Sequence, residues 1–217
     1  MYAQPSLLAI AQLKKLAKQA KKSRPDLTHA QLMDELAREH FPVRHYQELR
    51  KQVTTRLKAQ YKPSDAGTVT CEFCGLLFVA EYPDDRAQHE KRHLAYEEAL
   101  DGLGFLPADY DEREQAKRQA SQEIREAQTA EEELVAVEKK IRAWFDRSLM
   151  ASITNGYWKQ HPSFEQYAGW AFHLAKPNLN LAHDLYLAKY GDTPGEIEMG
   201  KSYWYPHKIL ALHANQP

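Results

Sequence analysis

Cys71-Glu-Phe-Cys74, followed by His89-Glu-Lys-Arg-His93, spells C-x2-C-x14-H-x3-H. Thiolate sulfur and imidazole nitrogen are the donors that zinc takes in closed four-coordinate sites. Two thiols three positions apart fit a tight knuckle, and two imidazoles four apart share one face of a helix. The expected metal ligands are therefore Cys71, Cys74, His89 and His93, with zinc as the cofactor. The chain has no other cysteine, so no disulfide competes for these thiols and none is left over. The plain alternative is a buried thiol pair beside two histidines on a helix surface.

Other residues able to do chemistry are His161, His173, His183, Asp184, His207 and His213. They follow no recognisable spacing. The chain contains no phosphate loop, nucleophile elbow, H-E-x-x-H or dinucleotide fingerprint, so no catalytic residues are assigned and the protein is expected to act by binding.

The zinc ligands need elements to hold them. Thr68-Val69-Thr70 and Leu76-Leu77-Phe78-Val79 read as two short strands around the knuckle, and Gly75 can take the positive φ that follows the second thiolate. A helix beginning at Asp84 or Asp85 places acid at its positive end and carries His89 and His93. This pattern resembles the two-Cys, two-His fingers, with Phe78 at their core aromatic position. Among single fingers, C-x2-C-G-L-x-F followed by D-x3-H-x3-H is similar to the finger of the cohesin acetyltransferases, with Asp85 matching the acid before the ligands. The resemblance implies a ββα zinc module over about 25 residues and no acetyl transfer, since nothing elsewhere resembles an acetyl-CoA site. Two departures stand out: 14 residues separate the ligand pairs where 12 is usual, and Arg86 occupies a position normally held by Leu. The residues at the DNA-reading positions of such a helix, Tyr82, Asp84, Asp85 and Gln88, lack the Arg or Lys that pairs with guanine. The finger is accordingly expected to be structural or protein-docking.

The net charge of −1 conceals a polarity along the chain. Residues 1–62 carry 13 Lys and Arg against 5 Asp and Glu, residues 63–140 carry 9 against 19, and residues 141–217 carry 7 against 6. The basic end predicts a polyanionic partner. Within it, Ala9, Leu13, Leu16, Ala17 and Ala20 recur at helical spacing from Ser6 to Lys22, a capping box at Thr28 and Gln31 opens a second helix, and Pro42 suits the first turn of a third. Such a unit allows a helix-turn-helix whose third helix enters a major groove. The expected nucleic-acid contacts are Lys14, Lys15, Lys18, Lys21, Lys22, Arg44, Arg50, Lys51, Lys58 and Lys62, with DNA preferred over RNA. Leu13-Lys-Lys-Leu16, Thr28-His29-Ala-Gln31, Leu36-Ala37 and His45-Tyr46-Gln-Glu-Leu49 also resemble the helical segment termed glyoxalase-related in proteins of bacterial plasmids and other mobile elements. Here Phe41-Pro42 replaces that segment's Gly-aromatic pair and Tyr46 its frequent Trp. The resemblance implies a bacterial or mobile-element origin and no activity.

Beyond the finger, residues 111–150 contain neither Gly nor Pro, and Ile124, Ala127, Leu134, Ile141 and Phe145 fall near heptad spacing. A long acidic helix or helical hairpin is predicted, with Glu131, Glu132, Glu133 and Glu138 weakening any long coiled coil. Of the 23 Phe, Trp and Tyr residues, 13 lie between Trp144 and Tyr205. Two helices, from Ser163 to about Ala175 and from about Asn178 to Tyr190, should bury most of them, and Tyr203-Trp204-Tyr205 is a candidate contact surface.

These readings give a mainly α fold: a basic three-helix unit (1–62), a zinc finger (68–100), a long acidic helix or hairpin (108–150) and an aromatic-rich helical region (151–217). At 43% hydrophobic and 27% charged residues, with no run of about 20 apolar residues and no leader, a cytoplasmic location is expected. The expected function is that of a zinc-containing nucleic-acid-associated protein with a protein partner and no membrane association. It would be a regulator or a subunit of a nucleoprotein complex, for example a CRISPR-type one, from a mobile element or phage. A protein-binding adaptor or antagonist of a host system, and a metal-dependent nuclease or toxin, are the alternatives.

Overall fold

The computed structural model describes residues 4–206, apart from the side chain of Ala66. Among them are nine α-helices and one three-stranded antiparallel sheet, so the fold is mainly α. No described helix is long and apolar enough to cross a membrane. The chain divides into two compact units, Met1–Gly102 and Leu103–Pro217. His207 and His213 lie outside the described residues.

The first unit opens with α1 (Leu7–Ser23), α2 (His29–His40) and α3 (Tyr46–Ala59). Ser6 caps α1 by accepting from the Ala9 N–H, and Thr28 and Gln31 form both halves of the capping box that starts α2. The helices bury a stripe each, Ile10, Leu13 and Ala17 against Leu32, Met33 and Ala37 and against Leu49, Val53 and Leu57. Leu16 falls off that stripe and is exposed. Pro42 does not open the third helix. It stands at the centre of a tight turn, closed by the Val43 N–H donating to the Phe41 carbonyl at 2.8 Å, and Phe41 and Val43 on either side are buried. His45 instead caps α3, its Nδ1 accepting from the Glu48 N–H at 3.2 Å.

The residues after α3 enter a small sheet. Tyr61–Pro63 forms β1, which pairs antiparallel with β2 (Val69–Cys71), and β2 pairs with β3 (Leu77–Phe78). β1 is an edge strand, where proline's missing N–H leaves no ladder bond unmade. A short 3-10 turn at Asp65–Gly67 joins β1 to β2. α4 (Pro83–Leu103) follows, with proline at its first position.

The second unit begins with α5 (Tyr110–Glu126) and α6 (Ala130–Asn155), each opened by a capping box, Asp109 with Glu112 and Thr129 with Glu132. Arg113 meets Met150, while Glu123 meets Lys139, so the two helices run antiparallel as a hairpin. Against α6 pack α7 (Phe164–Trp170), α8 (Phe172–Ala175) and α9 (His183–Tyr190). Tyr167 and Tyr186 are fully buried, and their hydroxyls donate to the carbonyls of Ser202 (2.5 Å) and Ala168 (2.9 Å). α7 and α9 touch so closely at Gly169 that a Cβ there would lie 2.4 Å from the Tyr190 carbonyl oxygen.

α9 starts five residues later than helical spacing suggests, and the cause is Glu133. Its side chain is buried, and Oε2 accepts from the backbone N–H groups of Asn180 (2.9 Å), Leu181 (2.7 Å) and Ala182 (2.7 Å). The backbone curls around this carboxylate instead of extending the helix. An acid that reads as a solvated face is thus a central anchor of the unit.

Candidate metal centre

The thiols sit where β2 ends in a turn. The Gly75 N–H donates to the Cys71 carbonyl at 2.8 Å, and Gly75 takes φ 67°, a conformation that favours glycine. Arg92 braces the turn from α4, its Nε donating to the Cys74 carbonyl at 2.9 Å while its guanidinium lies over Tyr96. His89 and His93 project from consecutive turns of α4 toward the thiols. All four side chains are buried, and one ligand atom from each lies within 4.8 Å of the others. The set can hold one metal ion.

The ring nitrogens divide their tasks. His93 Nδ1 faces Cys71 Sγ at 3.6 Å, and its Nε2 lies 3.3 Å from Glu97 Oε1. The other Glu97 oxygen accepts from the Leu8 N–H at 2.7 Å, which ties the imidazole to the first turn of α1. His89 Nδ1 lies 3.4 Å from the Tyr61 hydroxyl, and His89 Nε2 is buried with no protein partner. A buried polar atom left unpaired costs about 1–3 kcal/mol, and a metal among these donors would satisfy it. Each imidazole thus offers one nitrogen inward while the other meets an orienting group, as in carboxylate–histidine–metal arrangements.

Aromatic rings shield the centre. Phe78 stacks on His89 at 4.4 Å between centroids, Tyr61 meets both edge-on, and Phe73 lies 4.5 Å from His93. Tyr61 also packs on the helical core, so it joins the finger to the three helices.

The two thiols are joined by a hydrogen bond that moves their pKa values apart. The hydrogen bond from Cys74 pulls the Cys71 pKa far down, aided by both imidazoles against the effect of burial. The same bond, with burial, pushes Cys74 up. Burial alone would lower His93, but hydrogen bonds to Cys71 and Glu97 outweigh it and raise its pKa. A metal entering here displaces protons.

Both departures from the usual finger pattern have a structural role. Arg86 Nη1 donates to the carbonyls of Ala80 (3.0 Å) and Glu81 (2.8 Å), closing the longer connection before α4. Asp85 Oδ2 accepts from the Val79 N–H at 2.8 Å, so it is engaged within the module. Tyr82, Asp84 and Gln88 are exposed.

The ten basic residues expected at a nucleic-acid surface are all exposed. Three are engaged: Lys21 Nζ donates to the carbonyls of Pro25 and Leu27, Arg44 pairs with Glu48, and Lys62 pairs with Glu72. Among the described residues Lys14, Lys15, Lys18, Lys22, Arg50, Lys51 and Lys58 have no carboxylate within ion-pair distance. The first four share one side of α1, and the last three lie on α3.

The described histidines of the second unit, His161, His173 and His183, each have a partner in the chain. The Ser148 hydroxyl accepts from the Trp204 N–H (3.0 Å) and donates to His161 Nε2 (2.9 Å), so His161 carries its proton on Nδ1 toward the Pro162 carbonyl. Burial lowers the His161 pKa to about 4. His173 meets the Lys201 carbonyl, and His183 its neighbour Asp184.

No family model, curated protein or solved structure matches this chain.

Proposed function

We propose that the ion held by Cys71, Cys74, His89 and His93 is a structural zinc, and that it completes a module whose basic helices bind nucleic acid. Two thiolates and two imidazoles suit zinc, and four protein donors complete its tetrahedron. Zinc there would supply a fixed cross-link between the knuckle and α4.

The observation that carries the nucleic-acid reading is the set of seven exposed cations on α1 and α3 with no acidic partner among the described residues. Free Lys and Arg on helical faces attract phosphate, and binding then releases counterions. Duplex DNA is the favoured form, since α2 and α3, joined through the Phe41–His45 junction, have the helix-turn-helix order in which the second helix enters a major groove. A regulator, or a subunit of a nucleoprotein complex such as a CRISPR-type one from a mobile element or phage, fits such a module.

The test is a titration of the zinc-loaded chain with duplex DNA and with RNA across a salt series. Five phosphate contacts would give a slope of log K against log salt near −4 or −5, and changing Lys14, Lys15, Lys18, Lys51 and Lys58 to Ala should abolish binding. Absent or salt-insensitive binding sinks the reading.

The finger favours a second role. It exposes two large hydrophobic side chains, Leu77 on β3 and Tyr82 before α4, at 56% and 63%. That surface suits docking onto a protein, and a complex surviving nuclease treatment in a pull-down, yet lost on Leu77→Asp, would support it.

A further inference from the structure

A cavity of about 600 Å³ opens in the second unit between the start of α5, the last turns of α6 and Tyr203. Its volume lies in the range of small-ligand sites. Arg113 and Arg147 line it, together with Tyr110, Tyr203, Thr154 and Asn155.

Neither of its two arginines forms an ion pair among the described residues, and the lining carries two cations against the one acid Glu114. Arg113 is buried and held in place, its Nη1 donating to the Ala108 carbonyl (2.6 Å) and lying 3.3 Å from Met150 Sδ. Arg147 donates through Nε to the Tyr203 hydroxyl at 2.6 Å and lies over that ring at 4.6 Å. Among the described residues neither guanidinium has a carboxylate within ion-pair distance. The nearby acids form their ion pairs with other cations, Glu114, which lines the cavity, with Lys117 and Asp146 with Arg142, while both also feel the charge of Arg113; among the described residues Arg147 faces no such acid. Two guanidinium groups held by neutral partners leave planar N–H forks available to a phosphate.

The cavity also has an uncovered aromatic wall. Tyr110, the first residue of α5, is 67% exposed at its rim. An aromatic face beside immobilised arginines is the arrangement that receives a nucleobase while cations take its phosphate.

We propose that this cavity binds a nucleoside phosphate, either a free nucleotide or the phosphorylated end of a single strand. The phosphate lies on Arg147 and Arg113, and the base stacks on Tyr110. The site is built from residues of the second unit alone, and the proposal does not depend on the basic helices binding nucleic acid.

Calorimetric titration of the full zinc-loaded chain with AMP, adenosine and inorganic phosphate tests it. The expected result is AMP binding at least tenfold tighter than either fragment, the scale of one base–aromatic stack. Arg147→Gln should weaken AMP tenfold or more. Tyr110→Ala should bring AMP down to the level of phosphate and leave phosphate itself unchanged. Both side chains are exposed, so neither change empties the core. Equal affinity for AMP and adenosine, no saturable binding, or AMP binding indifferent to Arg147→Gln overturns the proposal.

A second arm uses a chain with Lys14, Lys15 and Lys18 changed to Gln and compares 5′-phosphorylated with 5′-hydroxyl oligothymidylate. Preference for the phosphorylated strand identifies a strand end as the source. No preference, with AMP binding retained, identifies a free nucleotide.

Discussion

The two units seat polar groups in their interiors by opposite means. In Met1–Gly102 the finger end has strands of only two or three residues, which bury little apolar surface, and its centre is made of Cys71, Cys74, His89 and His93. One of these nitrogens, His89 Nε2, has no protein partner at all. In Leu103–Pro217 the buried Glu133 and Ser148 find their partners within the chain, in backbone N–H groups and in His161. A small sheet that buries little apolar surface offers its polar centre to an ion, whereas the helical and aromatic core satisfies Glu133 and Ser148 from within. Asp146 Oδ1, the Tyr157 hydroxyl and Trp204 Nε1 are nevertheless buried there without a hydrogen-bond partner. With an ion bound as proposed, the stability of the finger end is expected to follow metal supply, and that of the second unit to respond to the protonation of His161.

The sharpest way to break this contrast is to remove a thiol. Structural zinc contributes about 10–16 kcal/mol of apparent binding energy in finger peptides, so Cys74→Ala should abolish metal binding and expose the amides of residues 68–100 to exchange. The amides of the second unit should stay protected. One zinc per chain by elemental analysis is expected of the wild type, and a fully protected finger without metal would refute the assignment.

Glu133→Ala is the counterpart in the second unit. It leaves the N–H groups of Asn180, Leu181 and Ala182 without their acceptor. A loss of about 4 kcal/mol is expected from denaturant unfolding, with zinc content unchanged. A loss under about 1 kcal/mol would show that the backbone curl does not need the carboxylate.

A smaller effect comes from pH. His161 is held neutral by burial, with its folded pKa near 4 against about 6.5 unfolded. The unfolded chain takes up the proton first, so this stabilisation is complete above pH 6.5 and fades as pH falls toward 4. At most about 3 kcal/mol is lost in that window. His161→Gln should flatten that part of the second unit's stability profile; an unchanged slope would assign the effect elsewhere.

The smallest expected change tests the tie between the metal centre and α1. Glu97→Gln weakens the acceptor shared by His93 and the Leu8 N–H. Zinc affinity should fall about tenfold, and the Leu8 amide should exchange faster. An unchanged affinity would make Glu97 a helix cap and nothing more.

Several parts of this architecture were legible along the chain because they are local. The ligand spacing, the Thr28 capping box, Gly75 after the knuckle and the basic face of α1 each depend on residues within a turn or two of one another. The stop between α5 and α6 has no Gly or Pro to mark it, so a single long helix and a hairpin both fit the sequence; the local signal that places it is the capping box of Thr129 and Glu132. Other features were hidden because they join distant residues. Tyr61 reads as the end of a basic helix, and only the pairing of β1 with β2 brings its ring against His89. Glu133 reads as one of three solvated acids, yet the residues that claim it lie 47 to 49 positions away. Arg113 and Arg147 sit on different helices and meet one cavity only because the hairpin folds back. Spacing within an element follows from the periodicity of the backbone, so the sequence by itself determined the donors, the caps and the charged faces. What those groups touch depends on which elements pack together, and that the tertiary structure alone decided.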